Sequence, residues 1–203
     1  MVSVGIIGSA GRKEDGNKIT NILYKQLKVE TKHVITKILT REDSRECRLI
    51  SGGAAFADSV TVSLFLEGFV ENLTLHLPCK FDTTINEFIE SPDKKFDTGK
   101  TANYYHRRFS EKCGKSKDTS LKMITRAINN GAKHTTSYGF FQRNLLVAQD
   151  SQYLIAATFG NKDILKDGGT THTMKQFLMK NAANQSFHID LNTMKTYCPA
   201  KVT

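Results

Sequence analysis

Apolar positions along the chain follow two patterns. The first is a short, nearly continuous run: VSVGIIG at 2–8, CRLIS at 47–51 and QYLIAAT at 152–158. Such runs suit strands buried on both faces of a parallel sheet. NLTLHL at 72–77, stopped by Pro78, and SFHIDL at 186–191 read as two more strands. The second pattern repeats at helical spacing. Ile19, Ile22, Leu23 and Leu27 share one face, so a helix starts near Asn17 and runs toward the thirties. Further helices are expected after SGGAAFAD to about Gly68, over TSLKMITRAINN before Gly131, over FFQRNLLVAQDS at 140–151, and over THTMKQFLMKNA at 171–182. Residues 80–117 are polar and irregular, and read as an insertion or lid over the sheet.

Strands alternating with helices predict an α/β, Rossmann-like domain spanning 1–203. It should hold about five parallel strands flanked by helices, with the insertion after the third strand. In such sheets ligands lie beyond the carboxyl ends of the strands. Three strands run into small-residue turns, at Gly8, Ser51 and Gly160, which should line one edge.

Composition narrows the setting. The chain has 203 residues, 39% of them apolar and 24% charged, enough for one sizeable core. No run approaches the length of a membrane span, and no basic segment precedes the apolar start, so a cytoplasmic protein without a membrane partner is expected. Cys47, Cys79, Cys113 and Cys198 are too scattered for a structural zinc site, and reduced thiols are expected. The net charge of +9 favours an anionic partner. From 99 to 133 the chain holds nine lysines and arginines against Glu111 and Asp118, which makes either a nucleic-acid surface or a solvated basic face. The apolar stretch 60–66 suits either a homo-oligomer contact or the core.

The turns carry the candidate chemistry. Gly8, Ser9, Gly11 and Arg12 let a phosphate approach backbone amides, but GSAG is not the GxGxxG fingerprint of dinucleotide binding. GKT at 99–101 lacks the glycine and the apolar strand of a P-loop. Ser51, Gly52 and Gly53 can form an anion nest, with Asp58 roughly one turn inside the following helix, either as an acid for a ribose or for catalysis or as a first-turn acid favoured by the helix dipole. In DGGTTHT, Gly168 and Gly169 allow a tight turn, while Thr170, Thr171 and Thr173 offer hydroxyls that also cap the next helix. His172 is a capping or ligand-contacting residue, or simply exposed. None of the six histidines has metal-ligand spacing, and neither a metal nor a cofactor is implied. Arg143 is either a second phosphate contact or, as a lone arginine in a helix, a surface salt-bridge partner. TANYYHRRFS interleaves Tyr104, Tyr105 and Phe109 with His106, Arg107 and Arg108, a pattern that can hold a base or pack a helix.

Three blocks, SGGAAFAD, QRN followed by YLIAAT, and GGTTHT, together resemble the SLOG superfamily, which unites DNA-processing-A proteins with LOG-type phosphoribohydrolases. The nearest likeness is to its YspA-like branch. The resemblance implies ligand-binding roles for Gly52, Gly53, Arg143, Asn144, Gly168, Gly169, Thr170, His172 and Thr173, and an acid role for Asp58. It leaves 80–135 mostly uncovered. Two departures stand out. Phe56 occupies a position that is usually glycine, with Ala55 in place of the arginine often found before it, and its ring is expected to reshape the pocket. Lys175 stands where LOG-type enzymes carry their catalytic glutamate.

These readings converge on binding, sensing, sequestering or processing of a nucleotide or nucleotide-derived anion, such as an ADP-ribose-like species. Nucleoside-monophosphate N-glycoside hydrolysis is the alternative, with Asp58, or behind it Asp150, supplying the carboxylate. Nucleic-acid binding through the basic insertion is a third.

Overall fold

The computed structural model describes residues 1–39, 41–91, 96–166 and 168–202, without the side chains of residues 41–43. In chain order, β1 (Ser3–Gly8) leads through α1 (Asp15–Lys18), α2 (Asn21–Ile38) and α3 (Arg41–Glu46) to β2 (Arg48–Ser51). Next come α4 (Ser59–Leu66), β3 (Asn72–Leu77), the hairpin β4 (Phe81–Asp82) with β5 (Glu87–Phe88), α5 (Thr98–Lys112) and α6 (Thr119–Asn129). Then follow β6 (Lys133–Thr136), α7 (Phe140–Asp150), β7 (Tyr153–Thr158), α8 (Gly169–Leu178), β8 (Ser186–Asp190) and β9 (Lys195–Tyr197).

The main sheet has seven strands in the order β6-β3-β2-β1-β7-β8-β9. Neighbours are parallel except for β8 and β9. The chain therefore winds outward from β1 to β6, then returns to β7 on the other side of β1, which places the topological switch point between β1 and β7. The sheet is Rossmann-like as expected, but with seven strands in place of about five. The two unforeseen strands lie at the edges. KHTT of β6 is exposed at every position and carries no apolar signal, and KTY of β9 is a three-residue return.

Helices cover both faces. One core gathers Tyr24 and Leu27 of α2, Val60 and Leu64 of α4, Phe109 of α5 and Leu121 and Ile124 of α6. The other joins Val147 of α7 to Met174 and Phe177 of α8. β1 feeds both, through Val4 and Ile6 on one side and Ile7 on the other, so its continuous apolar run follows from burial on two faces. The helix expected from Asn17 is interrupted, because Thr20 caps a fresh start by accepting a hydrogen bond from Leu23 N at 3.1 Å. The 60–66 stretch is spent on the core, where Val60, Val62 and Leu64 are buried.

Residues 80–117, of which 92–95 lie outside the described residues, contain the hairpin and a helix of fifteen residues. Asp97 caps α5 by accepting from Lys100 N at 2.9 Å, so the GKT residues form its first turn. Its inner face buries Ala102, Asn103, His106 and Phe109. Phe56 lies 5.8 Å from Phe109, 6.3 Å from Tyr24 and 6.5 Å from Phe159, centroid to centroid. This aromatic cluster fixes α5 to the sheet.

Candidate site at the carboxyl edge

Parallel pairing of β2, β1 and β7 brings the turns after Ser51, Gly8 and Thr158 to one edge. The first two turns are knitted together by Asp58, which immediately precedes α4 rather than lying a turn inside it. Its Oδ1 accepts from Gly8 N at 3.1 Å, and its Oδ2 accepts from Ala54 N and from Ser51 Oγ, both at 3.4 Å. Ser51 Oγ accepts from Gly53 N, Ser9 Oγ accepts from Gly11 N, and Ser9 N donates to Ala157 O at the switch point. The amides of Gly8, Gly11, Gly53 and Ala54 in these turns are thus engaged within the chain, those of Gly8 and Ala54 by its own carboxylate.

Arg143 is drawn into the same network. Nη1 donates to Gly52 O at 2.7 Å, Nε donates to Asn144 Oδ1 at 2.8 Å, and Nη1 stands 3.8 Å from Asp58 Oδ2. A Cβ on Gly52 would sit 2.2 Å from Arg143 Nη1, which is why glycine occupies that position. Asn144 Nδ2 extends the chain of contacts to Gly169 O at 3.2 Å, tying the third turn to the second. Burial pushes the Asp58 carboxyl up, against the opposing pull of Arg143 and the amides. Burial likewise lowers Arg143, with Asp58 opposing it.

The third turn is more open. Gly168 and Gly169 are exposed and Thr170 is half-buried. The hydroxyls of Thr171 and Thr173 do not cap α8: Thr171 Oγ1 donates to Lys166 O and Thr173 Oγ1 to Gly169 O, and the N-cap position is a glycine, Gly168. No acidic residue lies within the first turn of α8 itself. Asp167 lies outside the described residues. His172 is half-buried, its ring edge-on to Phe141 at 5.3 Å, and its Nδ1 is buried with no partner among the described residues.

Arg12 is exposed at the mouth of this edge. Its guanidinium lies 5.3 Å from the centroid of Phe140 and 5.5 Å from that of Tyr105, and among the described residues no carboxylate pairs with it. Arg143 approaches Phe140 at 5.5 Å as well. Lys166 Nζ and Ser9 Oγ both reach the buried Asp15, at 2.7 and 3.5 Å, which clasps the loop after β7 onto the first turn.

Several expectations change at this point. The Phe56 ring lies in the aromatic cluster rather than in the site, and its backbone φ of 60° is the left-handed conformation that favours glycine. His106, from a stretch that reads as polar, is buried between Gly53 O at 3.0 Å and Ser120 Oγ at 2.8 Å. Desolvation there lowers its pKa to about 4. Phe109 is core, and Arg107 is held by Glu87 and Asp118. Asp150 lies at the far end of α7 from Arg143 and bonds His76 Nε2 at 2.8 Å. Sequence reading missed Phe140 and Phe141. Their signal was the aromatic pair opening α7 directly before QRN.

A groove of about 770 Å³ runs along the outer face of α5, lined by Glu90, Lys100, Tyr104, Arg108, Glu111, Lys112 and Lys117 together with Arg107. Arg108 Nη2 lies 2.9 Å from where a Cβ on Gly16 would stand, so the groove begins beside the first turn. Among the described residues, no group of three His, Cys, Asp or Glu side chains is placed to hold a metal ion, and no helix is long and apolar enough to cross a membrane.

Fold and edge together define a doubly wound α/β protein whose glycine turns converge at the switch point of the sheet. Over 192 residues, covering 94% of this chain and 98% of the other, it is 31% identical to the uncharacterized protein R261 of Acanthamoeba polyphaga mimivirus, and it belongs to the same family as that protein. No family model matches the chain. No solved structure matches it.

Proposed function

We propose that the chain binds a nucleotide or nucleotide-derived small anion at the carboxyl edge of β1 and β7, as the resemblance to SLOG proteins suggests. The observation that carries this reading is Arg12: an exposed guanidinium with no carboxylate partner among the described residues, held on Tyr105 and Phe140 above an edge of glycine turns. The phosphate sits between Arg12 and the solvent-exposed first turn of α8, where Gly169 and Thr170, after Gly168, bring backbone close to the ligand. Asp58, Arg143 and Asn144 support this seat from below by fixing the three turns relative to one another.

Holding the ligand suits these residues better than cleaving it. A glycosidic cleavage needs a carboxylate at the anomeric carbon, whereas Asp58 is 3% exposed and bonded to two amides and a hydroxyl. Isothermal titration of the full chain with a nucleotide panel tests the reading. A phosphate-bearing ligand should bind, and Arg12→Ala should weaken it by roughly 10- to 150-fold, the worth of a hydrogen bond to a charged group. No heat across the panel, or an unaffected Arg12→Ala variant, sinks it.

The groove along α5 supports a second reading, an extended polyanion such as single-stranded nucleic acid. Lys100, Arg108, Lys112 and Lys117 make no ion pair among the described residues, and Tyr104 is 54% exposed beside them. If all four cations meet phosphates, the logarithm of affinity should fall against log salt with a slope near roughly −3. A flat salt dependence, or no binding by fluorescence anisotropy, removes this reading.

A further inference from the structure

The start of α7 carries an arrangement that phosphate binding alone does not use. Phe141 is 74% exposed, although it neighbours the half-buried Phe140. Its ring is not loose. His172, in the first turn of α8, meets it at 5.3 Å with the planes 87° apart, and this edge contact sets the orientation of an otherwise solvated ring. Leu145, one helical turn along from Phe141, is also exposed, so the apolar surface continues along α7.

Position decides what such a ring can serve. His172 connects Phe141 to the third glycine turn, within about one helical turn, or 5.4 Å, of the first amides of α8. Phe140, the preceding residue of α7, is the ring over which Arg12 and Arg143 lie. An apolar, oriented ring therefore stands beside the third glycine turn, and the residue before it in the chain, Phe140, carries the Arg12 guanidinium. That placement suits a ligand with a flat apolar group at one end and a phosphate at the other.

We propose that Phe141, oriented by His172, is the stacking platform for the base of the ligand. The site then takes an aromatic-base nucleotide in preference to a bare sugar phosphate. This rests on the small-anion reading above and adds the ring to it. Because the contact is to a π-face, the platform tolerates different bases, and purines, with the larger face, bind more tightly than pyrimidines.

The test compares adenosine 5′-monophosphate with ribose 5-phosphate by isothermal titration on the full chain. The nucleotide should bind roughly 5- to 150-fold more tightly, the range measured for stacking one base. Phe141→Ala should remove that margin and leave ribose 5-phosphate unchanged, while Phe141→Trp should preserve it. Since the ring is largely exposed, Phe141→Ala should not shift the melting midpoint. Equal affinity for the two ligands, or a Phe141→Ala variant that weakens both alike, overturns the platform while leaving phosphate binding standing. Absence of binding by either ligand overturns both. Sedimentation supplies the remaining arm: a wild-type dimer that Phe141→Ala dissociates would assign the ring to a contact between copies and overturn the platform.

Discussion

Arg143 and Asp58 face each other at 3.8 Å inside the protein, too far apart for a hydrogen bond, each satisfied mainly by other groups. The pair holds two turns of backbone in register, and its charges compensate one another across a gap. Asp58→Ala should lower the unfolding free energy by about 3–5 kcal/mol, because it leaves a buried guanidinium uncompensated. Combining Asp58→Asn with Arg143→Met should cost less than the two single changes added together. Urea denaturation of all variants gives the coupling, and additivity within about 0.5 kcal/mol would show that the two do not act as a unit.

Phe56 combines a left-handed backbone with a fully buried ring. Phe56→Ala should destabilise by about 3–5 kcal/mol through the cavity it opens. Phe56→Gly removes the same ring but also releases backbone strain of about 1–2 kcal/mol. Glycine should therefore be the milder substitution, the reverse of the usual order. Equilibrium unfolding midpoints of the two variants decide it.

His106 ties the pH response of the fold to the second glycine turn. Burial lowers its pKa from the usual 6.5 to about 4, so the unfolded chain takes up the proton first as pH falls. The stability it contributes is full above pH 6.5 and is lost progressively toward pH 4. Between pH 7 and pH 4.5 the loss should be about 2 kcal/mol relative to a His106→Gln variant, measured by urea unfolding at both pH values.

Gly52 is constrained by a neighbour rather than by its backbone. A Cβ there meets Arg143 Nη1 at 2.2 Å and Cδ at 2.4 Å. Gly52→Ala should cost about 1–3 kcal/mol by overpacking, and should weaken ligand binding too as Arg143 shifts from the Gly52 carbonyl. Gly68→Ala, at a left-handed position with open space around it, serves as a control, with a comparable stability loss of about 1–2 kcal/mol but unchanged binding.

The parallel core was legible because its strands are buried on both faces, so VSVGIIG and YLIAAT carry unbroken apolar runs. The exposed KHTT of β6 holds its place through backbone pairing with β3, a property that leaves no hydrophobic trace. The three glycine turns and their shared edge were also readable, because small residues after strands mark turns wherever they occur. The direction of side chains was not. Whether an arginine faces a ligand or the interior depends on neighbours distant in sequence: Arg143 turns toward Gly52, while Arg12 is held outward by Tyr105 and Phe140. His106 read as a polar-stretch residue for the same reason, since its partners are Gly53 and Ser120.

The place of β1 in the sheet also bears on how the chain is made. The Ser3 amide bonds Gln152, 149 positions further on. At the pace of translation, about 5–20 residues per second, one flank of β1 waits on the order of ten seconds for β7. During that interval an apolar strand with unpaired backbone can template pairing with another nascent chain. The residues from Arg12 to His172 that gather at the carboxyl edge can converge only after that wait, so this edge is among the last features of the molecule to exist.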